Sequence, residues 1–148
     1  MTAVRARAAA VSRRRGQVLV ALVALALALV QVAHILDQLR WSSGSTFSSV
    51  LVGEPNGQLG IVLALVAFLA VVTRWEHAPR LASLAGGVVA VGFVLYHGIP
   101  FKTGVNNPNW GPNGHADAIR WLTVLTAIAL GITVAWLATG LRRIEERS

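Results

Sequence analysis

Four long apolar runs constrain this chain more than any other feature of its sequence. They cover residues 17–39, 55–75, 80–99 and 116–141. A run of about 18 or more mainly apolar residues is long enough to cross a lipid bilayer as a helix. Only 13% of the residues are charged, against about 25% in an average soluble domain. The sequence therefore predicts an all-α, polytopic membrane protein that forms a bundle of four transmembrane helices.

The run over residues 55–75 is the weakest of the four. Its uninterrupted apolar part, Leu59 to Val72, rises only about 21 Å at about 1.5 Å per residue. The hydrocarbon core of a bilayer is about 30 Å thick. This segment therefore spans a bilayer only if the flanking residues 55–58 and 73–75 are helical as well.

The basic residues lie beside the apolar runs, and most of them lie on one side of the predicted membrane. The tail before the first run carries five Arg, the second connection two and the C-terminal tail three, whereas the first and third connections with their helix ends hold three Arg or Lys. By the positive-inside rule, both termini are cytoplasmic, and connections 40–54 and 100–115 face outward. The net charge of +7 then needs no nucleic-acid partner, and we expect a multi-pass protein in the lipid bilayer of the plasma membrane.

The charge pattern also divides the chain into one membrane domain with two short tails. We expect residues 1–15 to be a basic cytoplasmic tail, disordered or lying on the anionic membrane surface. Residues 16–141 form the transmembrane domain, and residues 142–148 form a charged cytoplasmic tail. A basic stretch followed by an apolar one is also typical of a signal peptide. The first run exceeds the roughly 7–15 apolar residues of a signal core, so we expect it to be retained.

A polar segment, residues 97–117, separates the third run from the fourth. It reads HGIPFKTGVNNPNWGPNGHAD and contains two of the four histidines of the chain. We expect it to form an outward-facing lid over the ends of helices one, three and four. Its candidate site residues are Asn106, Asn107, Asn109 and Trp110. The competing interpretation is that these asparagines are ordinary turn residues and that the tryptophan is an interfacial anchor.

Polar residues also gather where three of the predicted helices meet the outer face. The first helix has a polar stripe near its end, the third helix ends on a histidine, and the fourth opens beside a histidine and an aspartate. Polar side chains at this depth usually face the interior of a bundle or a water-filled cavity. We therefore expect an outer-face polar cluster, composed of Gln31, His34, Asp37, His97, His115 and Asp117.

Small residues mark one face of the third predicted helix. They are Ser83, Gly86, Gly87 and Ala90, and such residues let membrane helices approach closely. Seven residues beyond Ala90 on the same face lies His97. The face therefore predicts a helix contact and directs His97 toward the other helices.

A metal ion or haem is one cofactor class that the polar cluster could take. Imidazole and carboxylate groups bind zinc, iron, copper or manganese, and a histidine and a carboxylate three residues apart lie on one side of a helix. Histidines on facing helices can instead ligate haem iron. The candidate metal ligands are His34, Asp37, His97 and His115.

Two other interpretations of the cluster compete with a metal site. In a purely structural one, the histidines need no ligand, Asp117 caps the fourth helix, and Arg120 three residues later is its ion-pair partner. In the other, the cluster binds a different small molecule or relays protons. The sequence leaves all three open.

The motifs that are missing leave the function of the chain equally open. The sequence has no cysteine, no nucleotide-binding glycine loop, and no GxSxG or HExxH motif. It favours a small, non-catalytic integral membrane protein that acts through a membrane-protein partner or as a homo-oligomer. The alternative is a metal- or haem-dependent membrane redox or transfer enzyme with an outer-face His/Asp site.

Overall fold

The computed structural model describes residues 3–40, 46, 48–49, 55–101, 103, 108–111 and 116–145. These residues contain four long helices, and their bounds are α1 Ala3–Leu39, α2 Pro55–Val72, α3 Ala78–Gly98 and α4 Ala118–Glu145. The all-α prediction is confirmed for this part of the chain.

Three of the four helices are long and apolar enough to cross a membrane. The qualifying stretches are Ala10–Leu39 in α1, Ala78–Gly98 in α3 and Ala118–Ile144 in α4. The apolar part of α2, Gly57–Val72, is shorter. Length and composition therefore indicate a membrane protein with three candidate spans and a shorter fourth apolar helix.

The helices form a ring in the order α1, α2, α3 and α4, and each helix packs against the two next to it. Helix α1 packs along α2 and α4, and α3 packs along the same two, so α1 and α3 are diagonal and barely touch. Gly16 near the start of α1 lies beside Leu141 near the end of α4, and Ser83 Oγ of α3 is 3.2 Å from Thr139 Oγ1 of α4. We call the end where α1 and α3 start the apolar end, because its buried core is apolar, and the end where they finish the polar end.

Small residues fill the centre and large apolar residues cover the outside. Most of the buried apolar residues are alanines, among them Ala24, Ala67 and Ala82. Leu84 and Leu122, by contrast, are 63% and 66% exposed. Soluble proteins bury their largest apolar side chains and rarely expose large apolar patches. The distribution suits helices whose outer surface meets lipid.

A close helix contact joins α3 and α4 through two glycines. A Cβ at Gly86 would lie 2.5 Å from the carbonyl oxygen of Gly131, and a Cβ at Gly131 would lie 3.1 Å from the Cβ of Ala90. The predicted small-residue face is therefore confirmed for Ser83, Gly86 and Ala90. It is wrong for Gly87, where a Cβ would meet nothing within 4 Å.

The first helix begins well before the predicted start at Gln17. It is already helical at Ala3, so of the two expectations for residues 1–15 disorder is wrong from that residue onward, and a tail that lies on the membrane surface stays a prediction. Alanine and arginine, which dominate this stretch, are among the strongest helix formers, and they extend the helix beyond the apolar run.

The second helix ends at Val72, before the predicted end at Trp75. Arg74 has a φ of 57°, its N–H donates to Val71 O, and the N–H of Trp75 donates to Ala70 O. This pair of bonds is a Schellman motif, which stops a helix with a left-handed residue. Residues 73–75 therefore do not lengthen α2, and its 18 residues rise about 27 Å.

The third and fourth helices differ from prediction by a few residues at their ends. Helix α3 can start at Ala78 because Pro79 is tolerated in the first turn of a helix. It ends before Ile99, which is extended because the next residue is Pro100. Helix α4 runs two residues shorter at its start and continues to Glu145.

Candidate functional site

Two histidines from diagonal helices meet at the polar end. The ring centroids of His34 on α1 and His97 on α3 are 4.8 Å apart, and the rings contact edge to face. Both residues are buried, and Phe93 packs against both rings. The structure thus brings together two members of the predicted polar cluster and points His97 inward, as the small-residue face of α3 predicts.

A hydrogen-bond chain from α4 fixes the His34 ring. Thr123 Oγ1 donates to the carbonyl oxygen of Arg120 at 3.0 Å, so its remaining capacity is to accept. His34 Nδ1 lies 2.9 Å from Thr123 Oγ1, and both hydrogen bonds of the hydroxyl form together when Nδ1 carries the proton and donates to it. In a neutral imidazole with this tautomer, Nε2 is an acceptor. Within the described part of the chain, His34 Nε2 is buried and has no hydrogen-bond partner.

Gln31 lies one helical turn before His34 and is also buried. Its amide nitrogen donates to Leu27 O in the same helix. Its Oε1 rests in the hollow left by the missing side chain of Gly60 on α2, where a Cβ would overlap it. Like His34 Nε2, Gln31 Oε1 is a buried acceptor without a partner among the described residues.

A pocket of about 470 Å³ lies between α1, α2 and α3 at the polar end. Gln31, His34 and His97 form part of its inner wall, together with Val89 and Phe93. The volume lies in the range of about 300–1,000 Å³ that is typical of small-molecule pockets. A mainly apolar lining with a few polar groups is also typical of such pockets.

The pocket opens toward the outer surface between α2 and α3. Its exposed lining residues are all on these two helices or just beyond α3: Leu59, Val88, Gly92, Leu95 and Ile99, with Thr103 near the rim. This mouth is apolar and belongs to the surface that would meet lipid. A ligand of mixed polarity would therefore have its apolar part at the mouth and its polar part at the inner wall.

A second polar group, an ion chain, joins α1 to the start of α4. Arg40 Nη1 lies 2.6 Å from Asp37 Oδ1, and Arg40 Nη2 lies 2.9 Å from Asp117 Oδ2. Hydrogen bonds to Asp37 and then to Asp117 raise the pKa of Arg40. The partner of Asp117 is therefore Arg40 of another helix, and the expected ion pair with Arg120 is wrong.

Asp117 also caps α4. Its Oδ1 accepts a hydrogen bond of 2.9 Å from the backbone N–H of Arg120, which is the N-cap interaction of an aspartate with the third helical residue. This bond, and after it the guanidinium of Arg40, hold the pKa of Asp117 below its usual value. The structural interpretation of Asp117 thus gives each carboxylate oxygen a partner: Oδ1 caps α4, and Oδ2 pairs with Arg40.

Residues 108–111 fold back over the ends of α3 and α4. Asn109 N donates to His97 O at 3.1 Å, and Asn109 Oδ1 accepts from Arg120 Nε at 3.1 Å. The indole of Trp110 donates to Gly98 O. Gly111 has a φ of 81°, and a Cβ there would lie 2.7 Å from Pro100 O. This short stretch of the predicted lid covers the polar end as expected.

Three of the predicted site residues lie outside the described part of the chain: Asn106, Asn107 and His115. Among the described residues, no three His, Cys, Asp or Glu side chains converge to hold a metal ion. His34 and His97 contact each other directly, which leaves no space for a haem between their rings.

Several residues that shape this end of the molecule carry little signal in the sequence. Gly60 is a lone glycine within an apolar helix, and an isolated glycine there can signal close approach by another group. Arg40 resembles an ordinary interfacial residue in the sequence, whereas it joins two aspartates in the structure. Gly92 and Phe93 line the pocket without any pattern that draws attention to them.

Comparisons of the chain with protein-family models, curated proteins and solved structures find no match. The functional argument therefore rests on the geometry of the polar end.

Proposed function

We propose that this chain is a non-catalytic integral membrane protein that binds a small amphipathic molecule in the pocket at its polar end. In the proposed topology all four helices span the plasma membrane, both termini are cytoplasmic, and the polar end faces outward. Residues 73–75 do not lengthen α2, so its span of about 27 Å requires the bilayer beside it to be thinner than about 30 Å. The observation that carries the proposal is the pocket between α1, α2 and α3, with its apolar mouth and with Gln31, His34 and His97 among its lining residues.

Two physical arguments support ligand binding at this place. A buried polar atom without a hydrogen bond costs about 1–3 kcal/mol, and such atoms in a native structure call for an explanation. Both Gln31 and His34 belong to the lining of the pocket. The apolar part of a ligand gains from burial in the mouth, and a hydrogen bond from its polar part offsets the cost once the Gln31 or His34 side chain turns toward the pocket.

The alternative of a metal- or haem-dependent enzyme has less support. A metal site would need a ligand from outside the described residues, such as His115, because the described histidines and carboxylates do not form a group of three. His34 Nδ1 is also engaged with Thr123, which leaves this histidine only Nε2 with which to reach a shared centre. Assembly with a partner protein or a second copy stays a prediction.

Binding is tested with hexadecanol that carries a diazirine in its chain, added to vesicles that contain the purified protein. After illumination, we expect saturable labelling of α2 and α3 peptides around the pocket, reduced by excess unlabelled hexadecanol. Labelling that unlabelled hexadecanol does not reduce would be ordinary lipid contact and would refute the proposed site.

Two glycines of α3 supply a matched pair of variants for this experiment. A Cβ added at Gly92 or at Gly87 would meet no atom within 4 Å, but only Gly92 lines the pocket. Gly92→Leu should abolish the saturable labelling because its side chain fills the pocket. Gly87→Leu should leave it unchanged, and equal labelling of both variants would contradict the assignment.

The proposed topology has a simple test because the chain contains no cysteine. Arg7→Cys and Thr103→Cys are treated in intact cells with a membrane-impermeant maleimide. We expect Thr103→Cys to react at once and Arg7→Cys to react only after permeabilisation. The reverse pattern would place the termini outside.

A further inference from the structure

We propose that the groove between α3 and α4 on the outer surface of the apolar end binds an anionic phospholipid, with the phosphate of its head group between Arg80 and Arg143. The site is separate from the pocket at the polar end. Binding there requires a bilayer around the helices but no ligand in the pocket. Three features carry the proposal: two facing rows of side chains, an open gap below their arginines and the charge of this end.

Two rows of residues face each other where α3 and α4 pack at the apolar end. Ser83 Oγ of α3 is 3.2 Å from Thr139 Oγ1 of α4, so these two hydroxyls lie at the same level. Residues three or four apart on a helix are neighbours on its surface. We call the surface between the two rows the outer groove, and its residues are Arg80, Ser83 and Gly87 on α3 and Arg143, Thr139 and Trp136 on α4.

Arg80 and Arg143 stand at the rim of the outer groove. Arg80 lies three residues before Ser83 and Arg143 four residues after Thr139, so the two Cα atoms lie about 4.5 and 6 Å beyond the hydroxyl pair. Both arginines are exposed, as is Arg142 beside them. A guanidinium binds a phosphate group through two parallel N–H donors. A phosphate between the two helices would be within reach of both arginines and would offset the repulsion between these like charges.

Toward the middle of the bundle, the outer groove is open and apolar. A Cβ at Gly87 would meet no atom within 4 Å, so this position leaves a gap in the surface of α3. Trp136 of α4 is 73% exposed, and Leu84 and Val91 of α3 are exposed too. Tryptophan is enriched where a protein meets the head-group region of a bilayer. An acyl chain that follows the phosphate therefore finds apolar surface and space directly below the arginines.

The charge distribution favours an anionic lipid over a neutral one. Residues 1–16, 73–80 and 142–148, which begin, join or end the helices at the apolar end, hold ten Arg and three Glu, whereas residues 37–57 and 98–120 hold three basic and three acidic residues. The net charge of +7 thus belongs to one end. In the proposed topology this end meets the cytoplasmic leaflet, which carries anionic lipids. Phosphatidylcholine offers the same phosphate but adds an ammonium group, which the arginines repel.

The test compares phosphatidylglycerol with phosphatidylcholine, each carrying a diazirine in the same acyl chain. Equal small amounts of either probe are added to phosphatidylcholine vesicles that contain the purified protein. After illumination, we expect phosphatidylglycerol to label the α3 and α4 peptides that contain Gly87 and Trp136 about tenfold more strongly than phosphatidylcholine does. Excess unlabelled phosphatidylglycerol should reduce this labelling. Equal labelling by the two probes would overturn the proposal.

Two double variants with the same net charge locate the preference. Arg80→Gln/Arg143→Gln removes both arginines of the outer groove, and the ratio of phosphatidylglycerol to phosphatidylcholine labelling should fall toward one. Arg7→Gln/Arg14→Gln removes two exposed arginines of α1 and should leave the ratio near its original value. Equal ratios in the two variants would mean that overall charge attracts the lipid, which would overturn the site. If the groove variant fails to fold, Arg143→Gln alone is compared with Arg14→Gln in the same way.

Gly87→Leu and Gly92→Leu separate the outer groove from the pocket. A leucine at position 87 fills the gap in the groove, so labelling by phosphatidylglycerol should fall there, whereas Gly92→Leu should leave it unchanged. The two variants have the opposite roles in the hexadecanol experiment, so the failure of one site is recognised independently of the other. Weak labelling of the groove peptides by both lipids, beside strong labelling of α2, would mean that a second copy or another protein covers the groove and would overturn the proposal.

Discussion

The two ends of the molecule pack the same helices in different ways. At the apolar end, α3 and α4 touch backbone to backbone through Gly86 and Gly131, and the core around them is mainly alanine. At the polar end, His97, Asn109 and Arg120 are buried between elements, and a pocket of about 470 Å³ separates α1, α2 and α3. Close contact between α3 and α4 leaves no space for a ligand, whereas a pocket remains between the other helices at the polar end.

The two ends also differ in how well their buried polar groups are satisfied. At the apolar end, Ser83 pairs with Thr139, and Thr139 also donates to Ala135 O. The buried side-chain atoms that lack a partner among the described residues are all at the polar end, on Gln31, His34, Asp37, Asn109 and Arg120. Unpaired buried groups lower stability. We infer that the tight apolar end stabilises a fold whose polar end is kept available for binding.

The largest expected effect is at the contact between α3 and α4. Gly86→Val places side-chain atoms where Gly131 O and Ala135 N already lie, so the helices must separate. We expect a loss of about 3 kcal/mol in the free energy of unfolding, measured by denaturation in detergent micelles. Gly87→Val on the next residue is the control and should change stability by less than about 0.5 kcal/mol. Equal losses would mean that this contact does not distinguish the apolar end.

A smaller loss is expected where residues 108–111 close over the polar end. Asn109→Leu removes the acceptor of the buried Arg120 Nε, and a lost bond to a charged group costs about 2 kcal/mol. Trp110→Phe removes only the half-exposed donor to Gly98 O and should cost about 0.5 kcal/mol. Thermal unfolding of both variants measures the difference. An unfolding temperature that is unchanged by Asn109→Leu would show that residues 108–111 contribute nothing to the stability of the polar end.

The apolar end has one strained position, and relieving it should increase stability. Arg74 adopts a left-handed conformation, which costs a residue with a Cβ about 1–2 kcal/mol relative to glycine. Part of this gain is offset because glycine gives the unfolded chain more freedom. We expect Arg74→Gly to raise the free energy of unfolding by about 0.5–1 kcal/mol. Arg80→Gly, within α3, should lower it by a similar amount.

The smallest effect concerns the pH dependence of the ion chain. The pKa of Asp117 is lowered in the folded protein, so the folded state binds fewer protons than the unfolded state near that pH. The resulting stabilisation is complete above the unfolded pKa of about 3.9 and is lost as the pH falls through the folded pKa. Unfolding temperatures measured from neutral pH down to about pH 3 should show this decline.

Asp117→Asn provides the control for the pH experiment. Asparagine is as good an N-cap as aspartate, so the cap of α4 is kept while the titrating group is removed. We expect a flatter decline below about pH 4 in this variant, with little change at neutral pH. An unchanged profile would show that Asp117 does not cause the acid sensitivity.

The apolar architecture is predictable from the sequence because hydropathy acts locally. Long runs of Val, Leu and Ala predict helices wherever they occur, and each of the four runs overlaps one of the four helices. The ends are harder to predict, since they depend on local features that hydropathy does not report. The strong helix propensity of the Ala- and Arg-rich start of α1 extends that helix to Ala3, and the left-handed Arg74 ends α2 early.

The sequence predicts which polar residues lie at the polar end, but it does not predict which of them pair with each other. Helix spacing favours a partner three or four residues away, which is why the sequence predicts that Arg120 pairs with Asp117. The actual partner, Arg40, comes from a different helix, and such a contact depends on how helices are rotated against each other. The pocket is equally inaccessible to sequence reasoning, because it depends on side chains that are missing at Gly60 and Gly92.

The early end of α2 has a consequence for the bilayer around the protein. In the proposed topology, a helix of about 27 Å stands beside α1, whose apolar run over residues 17–39 rises about 35 Å. A short span thins the adjacent bilayer, and a long one tilts. Helix α2 ends early at Val72, so the missing length lies at the apolar end. Lipid head groups of that leaflet would therefore be drawn inward next to Val72, on the side of the membrane opposite to the pocket.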